Sequence, residues 1–262
     1  MPIGSRYVVL AGVVAAALVA APCAQGQRGG AGADEQIIRD AQPVASSGRI
    51  DVFQHGTLVD PALAEAAERA LARMEGLLGR KLDEAALGAR VRIYVSSSTT
   101  VSHVWRGYEH PSDPKGALFL NPRVAEAALR GSNATYAHEL AHLLTWRFHS
   151  HTLREGLADY LALQLHPGAG IGPNPYGYAS PPPVDPEIEE YLGTTRSPPM
   201  AVTSSPAYRR AYYYASYRFV RYLIERAGIA VFLKVYDARD PEDELQRLYG
   251  ASRRELVLAA AK

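Results

Sequence analysis

The chain has little cysteine and no excess of charge, and both shortages exclude classes of protein. Cys23 is its one cysteine in 262 residues, so neither an intramolecular disulfide framework nor a cysteine-based zinc site can form. Lys and Arg total 28 and Asp and Glu total 27, a formal net charge of +1. This balance argues against a nucleic-acid partner held by a broad basic surface, and against an acidic disordered tail.

Residues 1–24 have the pattern of an export signal. A positive start at Arg6 is followed by about 15 apolar residues, which is short for a membrane span and suits a signal peptide. We therefore expect a secreted, periplasmic or cell-envelope protein with no stable membrane insertion after signal cleavage. An uncleaved anchor is one alternative. A lipid anchor at Cys23 is another, although Pro22 stands where such signals usually carry a small residue.

The remaining chain divides into a linker and one domain. Residues 25–47 are rich in Gly, Ala, Gln and Ser without periodicity, which predicts a flexible linker. Residues 48–262 predict an α+β domain in which a small sheet packs on a mainly helical part. Strands are predicted at 49–53, 91–95 and 116–120, and helices at 61–79, 132–148, 152–166, 206–227, 229–237, 241–250 and 252–260. Nine prolines fall in residues 167–205, which predicts a long irregular loop beside the functional cleft.

The most informative residues form an H-E-x-x-H motif, His138-Glu139-Leu140-Ala141-His142. At helical spacing the two histidines lie on one face and can bind a single cation, and neutral imidazole suits Zn²⁺. Glu139 is then placed to exchange a proton with a water molecule at the metal. The alternative is a helix that carries two histidines by chance. It is disfavoured because the surrounding residues are apolar and unpaired buried charge is costly. We expect one Zn²⁺ per chain.

A third protein ligand is expected on the next predicted helix, which contains the run L-R-E-G-L-A-D-Y. A helix–turn–helix of this length can bring Glu155 back over His138 and His142. Asp159 lies one turn later on the same face and can accept a hydrogen bond from a ligand histidine. A third histidine six residues after His142 is excluded, because that position is Phe148.

H-E-x-x-H followed by E-G-L-A-D-Y resembles the gluzincin metallopeptidases, the peptidase MA-like group that includes thermolysin and the zinc aminopeptidases. The resemblance implies a gluzincin, zincin-like fold. It also implies that His138, His142 and Glu155 bind zinc, that Glu139 is the general base and that Asp159 supports His138. The spacing between the second histidine and the glutamate is shorter than in thermolysin and is closer to that of small secreted members.

The resemblance covers about residues 116–235 and implies an oxyanion donor among clustered tyrosines. Zinc aminopeptidases place a tyrosine three residues before a small residue near the start of a helix. Here Ser216 matches the small residue and Tyr213 the donor, whose hydroxyl would stabilise charge on the substrate carbonyl oxygen. Tyr212 and Tyr214 are the alternatives, and packing within the helix explains any one of these tyrosines equally well.

The predicted strand at 116–120 resembles the edge strand on which gluzincins bind an extended substrate through backbone hydrogen bonds. The resemblance therefore implies that Gly116, Ala117 and Leu118 contact the substrate. A role as a core strand is the alternative reading of the same residues.

Taken together, these residues predict a secreted zinc-dependent metallopeptidase that hydrolyses peptide bonds of a peptide or protein substrate. Two other functions stay open. One is a catalytically silent zinc-binding scaffold, which the retention of Glu139 disfavours because this residue has little structural use. The other is a metal-dependent hydrolase of a non-peptide amide, which the sequence does not separate from a peptidase.

Overall fold

The computed structural model describes residues 31–105, 116–147, 150–194 and 205–262. Over these ranges the protein is mixed α+β, 56% helical with an open five-stranded sheet, so the predicted α+β class with a small sheet is confirmed. Among the helices in these ranges, none combines the length and the apolar character that a membrane span requires. The predicted export signal, residues 1–24, lies outside the described residues.

The sheet is mainly parallel with an antiparallel strand at each end. Its strands are β1 (Gln42–Ser47), β2 (Ile50–His55), β3 (Val91–Ser96), β4 (His103–Val104) and β5 (Ala117–Leu120). Their order in the sheet is β1-β2-β3-β5-β4, with β2, β3 and β5 parallel to one another. The three predicted strands correspond to β2, β3 and β5.

Eleven helices lie in the described ranges. They are α1 (Ala31–Asp40), α2 (Ala62–Leu78), α3 (Glu84–Leu87), α4 (Pro122–Leu129), α5 (Thr135–Leu144), α6 (His151–Leu165), α7 (Pro186–Leu192), α8 (Pro206–Ala227), α9 (Ile229–Asp237), α10 (Pro241–Tyr249) and α11 (Arg253–Ala260). Each helix predicted from periodicity has a counterpart here. Four short helices, α1, α3, α4 and α7, were not predicted.

The two faces of the sheet belong to separate hydrophobic clusters, because successive strand residues point to opposite sides. On β3, Ile93 points into the main core, which also holds the buried faces of α2, α5, α6 and α8. Tyr94 points the other way and packs with Trp105 and Phe119 beneath Ile37 of α1. The sheet is therefore covered on both faces, with most helices on one side.

The predicted flexible linker, residues 25–47, is wrong for the part that the structure describes. Residues 31–40 form α1, whose Ile37 is only 2% exposed, and residues 42–47 form β1, which pairs with β2. Asp34 of α1 also contacts the His103 ring, with 2.9 Å between Oδ2 and Nε2. The composition concealed these elements because β1 is a largely exposed end strand with an irregularity at Pro43, and so shows no clear alternation.

The predicted irregular loop, residues 167–205, is also wrong in part, because it contains α7. Asp185 caps this helix by accepting a hydrogen bond from the Glu187 N–H, and Pro186 occupies its first turn. Earlier in the same segment, the Gly170 carbonyl accepts a hydrogen bond at 2.7 Å from the N–H of Ala134, the residue immediately before α5. The segment is thus tied to the helix that carries the H-E-x-x-H motif.

Candidate metal centre

Helix α5 brings the two histidines of the motif together. His138 and His142 lie one turn apart on this helix, with ring centroids 4.5 Å apart and the rings nearly perpendicular. The Thr135 N–H donates to Asn133 Oδ1 at 2.8 Å where the helix begins. The helix packs against β4, β5 and α6, which buries most of its residues. His142 is the most accessible of the ten, so the histidine face opens toward solvent at this point.

Helix α6 contributes the third member of the cluster. Glu155 Oε2 lies 3.4 Å from His138 Nε2 and 3.3 Å from His142 Nε2. One ligand atom from each residue lies within 4.8 Å of the others, so the three can bind one metal ion. The set expected from the sequence, two histidines and Glu155, is therefore brought together by the packing of α5 on α6.

The other oxygen of Glu155 is held away from the histidine pair. Oε1 accepts a hydrogen bond from Arg154 Nη2 at 3.3 Å and lies 3.7 Å from His151 Nε2. Burial raises the pKa of Glu155, but His142 and His138 outweigh burial and hold the pKa well below its usual range. The carboxylate is thus ionised, with Oε2 directed at the cluster.

Asp159 orients the first histidine. Its Oδ1 lies 2.6 Å from His138 Nδ1, which leaves Nε2 facing Glu155. Burial lowers the pKa of His138, but the Asp159 carboxylate outweighs this effect and holds the pKa well above its usual value. A cation at Nε2 would displace the proton there while Asp159 keeps the proton on Nδ1.

Glu139 lies next to His138 and is 6% exposed. The residues that the structure describes provide its carboxylate with no hydrogen bond and no ion pair, although its charge contributes to raising the pKa of His138. No described donor therefore gives this carboxylate a role in holding the fold together.

Among the three clustered tyrosines, Tyr213 lies beside the histidines. Its ring centroid is 6.2 Å from that of His138. The Tyr212 hydroxyl is instead 3.0 Å from both His151 Nδ1 and Thr152 Oγ1, and the Tyr214 ring packs edge-on against Tyr178. Burial raises the pKa of Tyr213 well above its usual value, and nearby carboxylates add to this, so its hydroxyl stays protonated.

A close crossing of α6 and α8 places Tyr213 there. A Cβ on Gly156 would collide with the backbone carbonyl oxygen of Ser216 and with Val220, so only glycine permits this approach. Ser216 is fully buried and lies three residues after Tyr213 on α8. The glycine beside Glu155 therefore sets the distance between Tyr213 and the three residues that could bind a metal ion.

The predicted substrate strand is not an edge. Ala117 and Leu118 belong to β5, and Gly116 precedes it. Strand β5 lies between β3 and β4. The Arg92 N–H donates to the Gly116 carbonyl at 3.0 Å and the Trp105 N–H to the Ala117 carbonyl at 2.9 Å, so both sides of the strand are already paired. The prediction failed because β4 has only two residues, too few to show a pattern.

Sequence reasoning missed three side chains that contact the site, namely His151, Arg154 and Tyr178. His151 precedes Glu155 by one helical turn, so its spacing on α6 could have identified it. Arg154 reaches the same carboxylate from the adjacent position. Tyr178 donates a hydrogen bond to Asp159 Oδ2 from a segment outside any helix, and no local pattern marks it.

The residues present fit a bound metal ion. Two histidine nitrogens and a carboxylate oxygen are one of the donor sets with which catalytic zinc sites are built. The atoms also converge, because Nε2 of His138 and Nε2 of His142 lie 3.4 Å and 3.3 Å from the same oxygen of Glu155.

Comparisons with known proteins do not assign the chain to a family. No model of a known protein family matches the chain, and a search of curated proteins also finds no match. The resemblance to gluzincins therefore rests on the two sequence motifs and on the arrangement of the residues within them.

Proposed function

We propose that the protein is a secreted zinc-dependent metallopeptidase of the gluzincin type. The observation that carries this proposal is Glu139, a residue only 6% exposed whose carboxylate has no hydrogen bond or ion pair among the described residues and which stands next to a His-His-Glu cluster. General acid–base chemistry requires such a group within reach of the reacting atoms and free of competing bonds. The export pattern of residues 1–24 supports action outside the cytoplasm.

His138, His142 and Glu155 would hold one Zn²⁺ per chain. When bound, zinc polarises a carbonyl oxygen and lowers the pKa of water at the site. Asp159 keeps the Nδ1 proton on His138, so that Nε2 is the nitrogen presented to the cluster. Arg154 restrains Oε1 of Glu155 and thereby limits rotation of the carboxylate.

Glu139 moves the proton in this proposal. Its carboxylate accepts a proton from the attacking water and returns it to the nitrogen of the leaving amine as the peptide C–N bond breaks. The low exposure of Glu139 keeps bulk water from competing for this proton. The residue ends the cycle in the ionised state in which it began.

Tyr213 stabilises the charge that develops on the substrate carbonyl oxygen. Its hydroxyl is protonated because burial raises the pKa well above the usual value. Tyr213 is partly buried on a packed helix, so its hydroxyl needs less reorganisation than water when charge appears. The Gly156 crossing supports this role by keeping α8 close to α6.

Strand β4 is the better candidate for backbone contacts with an extended peptide. It is the outer strand at this end of the described sheet, it runs antiparallel to β5, and α5 packs against it. Main-chain hydrogen bonds to such an edge recognise a peptide without reading its side chains. This favours a peptide over a small non-peptide amide as the substrate.

The proposal is tested by metal analysis and peptide digestion of the purified protein. We expect about one Zn²⁺ per chain, cleavage of a mixed peptide library, loss of cleavage with a chelator, and recovery when zinc is added back. Absence of zinc contradicts the metal centre. Zinc with an intact peptide library contradicts the peptidase and favours a scaffold, and cleavage of simple amide substrates alone favours a non-peptide hydrolase.

A further inference from the structure

The carboxylate that supports His138 has a second partner of its own. Asp159 is 1% exposed, so both of its oxygens need donors within the protein. Oδ1 is used by His138 Nδ1, and Oδ2 accepts a hydrogen bond from the hydroxyl of Tyr178. The three residues form one chain of contacts that ends at the proposed metal-binding nitrogen.

The direction of the Tyr178 hydroxyl is set by an amide. Asn174 Nδ2 donates to the Tyr178 oxygen at 3.4 Å and to the Arg210 carbonyl at the same distance. Because an amide N–H can only donate, the Tyr178 oxygen acts as acceptor there and its own proton is free for Asp159. Asn174 is 4% exposed, so water does not compete strongly for these bonds.

The Tyr178 ring packs against two tyrosines of α8. Its centroid lies 4.8 Å from that of Tyr217 and 5.2 Å from that of Tyr214, both on α8. The segment before it is anchored to the beginning of α5, where the Gly172 N–H donates to Thr135 Oγ1 at 2.9 Å. Tyr178 therefore holds a fixed position relative to α5, the helix that carries His138.

We infer that Tyr178 is a positioning residue for the metal ligand His138 and acts through Asp159. The inference rests on the metal centre of the proposed function, but not on peptide cleavage. Burial, and then the charge of Asp159, raise the pKa of Tyr178 well above its usual value, so the hydroxyl remains a donor. Tyr178 is not a catalytic residue, because its hydroxyl is engaged by Asp159 and Asn174.

The test compares Tyr178→Phe with Tyr214→Phe in the full chain. Each substitution removes one tyrosine hydroxyl, and the two rings pack on each other. Of the two hydroxyls, only that of Tyr178 donates a hydrogen bond to Asp159. Zinc affinity, measured by competition with a chromophoric chelator, should fall about 10- to 100-fold in Tyr178→Phe and stay at the parent value in Tyr214→Phe. Parent affinity in Tyr178→Phe, or an equal loss in both variants, overturns the inference.

Exchange of the His138 Nδ1 proton in the metal-free protein separates this inference from the proposed function. The proton should exchange with solvent faster in Tyr178→Phe than in Tyr214→Phe, whether or not the parent binds zinc or cleaves peptides. Equal exchange contradicts a positioning role. If Tyr178→Phe does not fold, the parent protein decides the matter, because its Tyr178 hydroxyl proton should exchange slowly, and rapid exchange there overturns the inference.

Discussion

Two glutamates buried on helices, Glu75 of α2 and Glu139 of α5, have opposite surroundings. Glu75 is 2% exposed, and its carboxylate accepts hydrogen bonds from Arg49 Nη1 at 2.6 Å, the Leu82 N–H at 2.9 Å and Lys81 Nζ at 3.1 Å. Glu139 is 6% exposed and has no such donor among the described residues. The two residues are similarly buried, but the Glu75 carboxylate has hydrogen-bond donors on both oxygens and the Glu139 carboxylate has none among the described residues.

Under the proposed function, the difference separates a charge that supports folding from one that is available for chemistry. Around Glu75, the donors join the beginning of β2 to the end of α2, so removing the carboxylate should affect stability. Around Glu139, the neighbours are a cluster that could bind a metal ion and Tyr213, and no hydrogen bond between Glu139 and Tyr213 is described. The number of donors around a buried carboxylate, more than its burial, indicates its role here.

The largest stability effect is expected at the satisfied carboxylate. Glu75→Gln should lower the free energy of unfolding by about 2 kcal/mol, because Arg49 loses its nearer counter-charge at 2.6 Å and keeps only Glu68 at 3.3 Å. Urea unfolding measures this loss. Glu65→Gln is the matched control on the same helix, since its pair with Arg69 is exposed and should contribute under about 0.5 kcal/mol.

The Glu75 effect should also depend on pH in a defined direction. Burial raises the pKa of Glu75, but hydrogen bonds from Arg49, Leu82 and Lys81 outweigh it and lower the pKa from 4.5 to about 2. The carboxylate therefore stabilises the folded state fully above pH 4.5, and this contribution is lost as the pH falls toward 2. A gap between parent and Glu75→Gln that widens with acid would contradict this assignment.

A smaller effect, confined to activity, is expected at the tyrosine beside the cluster. Tyr213→Phe should lower peptide turnover by about 10²-fold, because it removes one oxyanion donor, while zinc content and unfolding free energy stay near the parent values. Tyr214→Phe is the control, and its turnover should match the parent. Equal turnover in Tyr213→Phe and the parent would assign Tyr213 to packing alone.

Local sequence pattern predicted the His-His-Glu cluster and Asp159, but not the residues and elements that surround them. His138 and His142 share one face of α5, and Glu155 lies on α6, the next helix in the chain, which packs on α5. The hydrogen bond between Asp159 and His138 follows from the same helix pair. These residues could be predicted because the contacts depend on helical periodicity, a property of short stretches of chain.

The contacts that the sequence did not reveal come from elements without periodicity. Strand β4 has two residues and is defined only by its pairing with β5, so the end of the described sheet could not be predicted from local pattern. Helix α1 was hidden in a small-residue segment, and its docking depends on Ile37 meeting Tyr94 and Trp105 across the fold. Tyr178 reaches Asp159 from a turn whose position is set by distant hydrogen bonds.

One measurement tests most directly the claim that Glu139 is held for chemistry and not for folding. Peptide turnover and unfolding free energy are measured together for zinc-loaded Glu139→Gln and the parent. We predict turnover lower by about 10²- to 10⁴-fold, with the unfolding free energy near the parent value, because no described hydrogen bond is lost. Full turnover, or a loss of stability comparable to that of Glu75→Gln, would contradict the account.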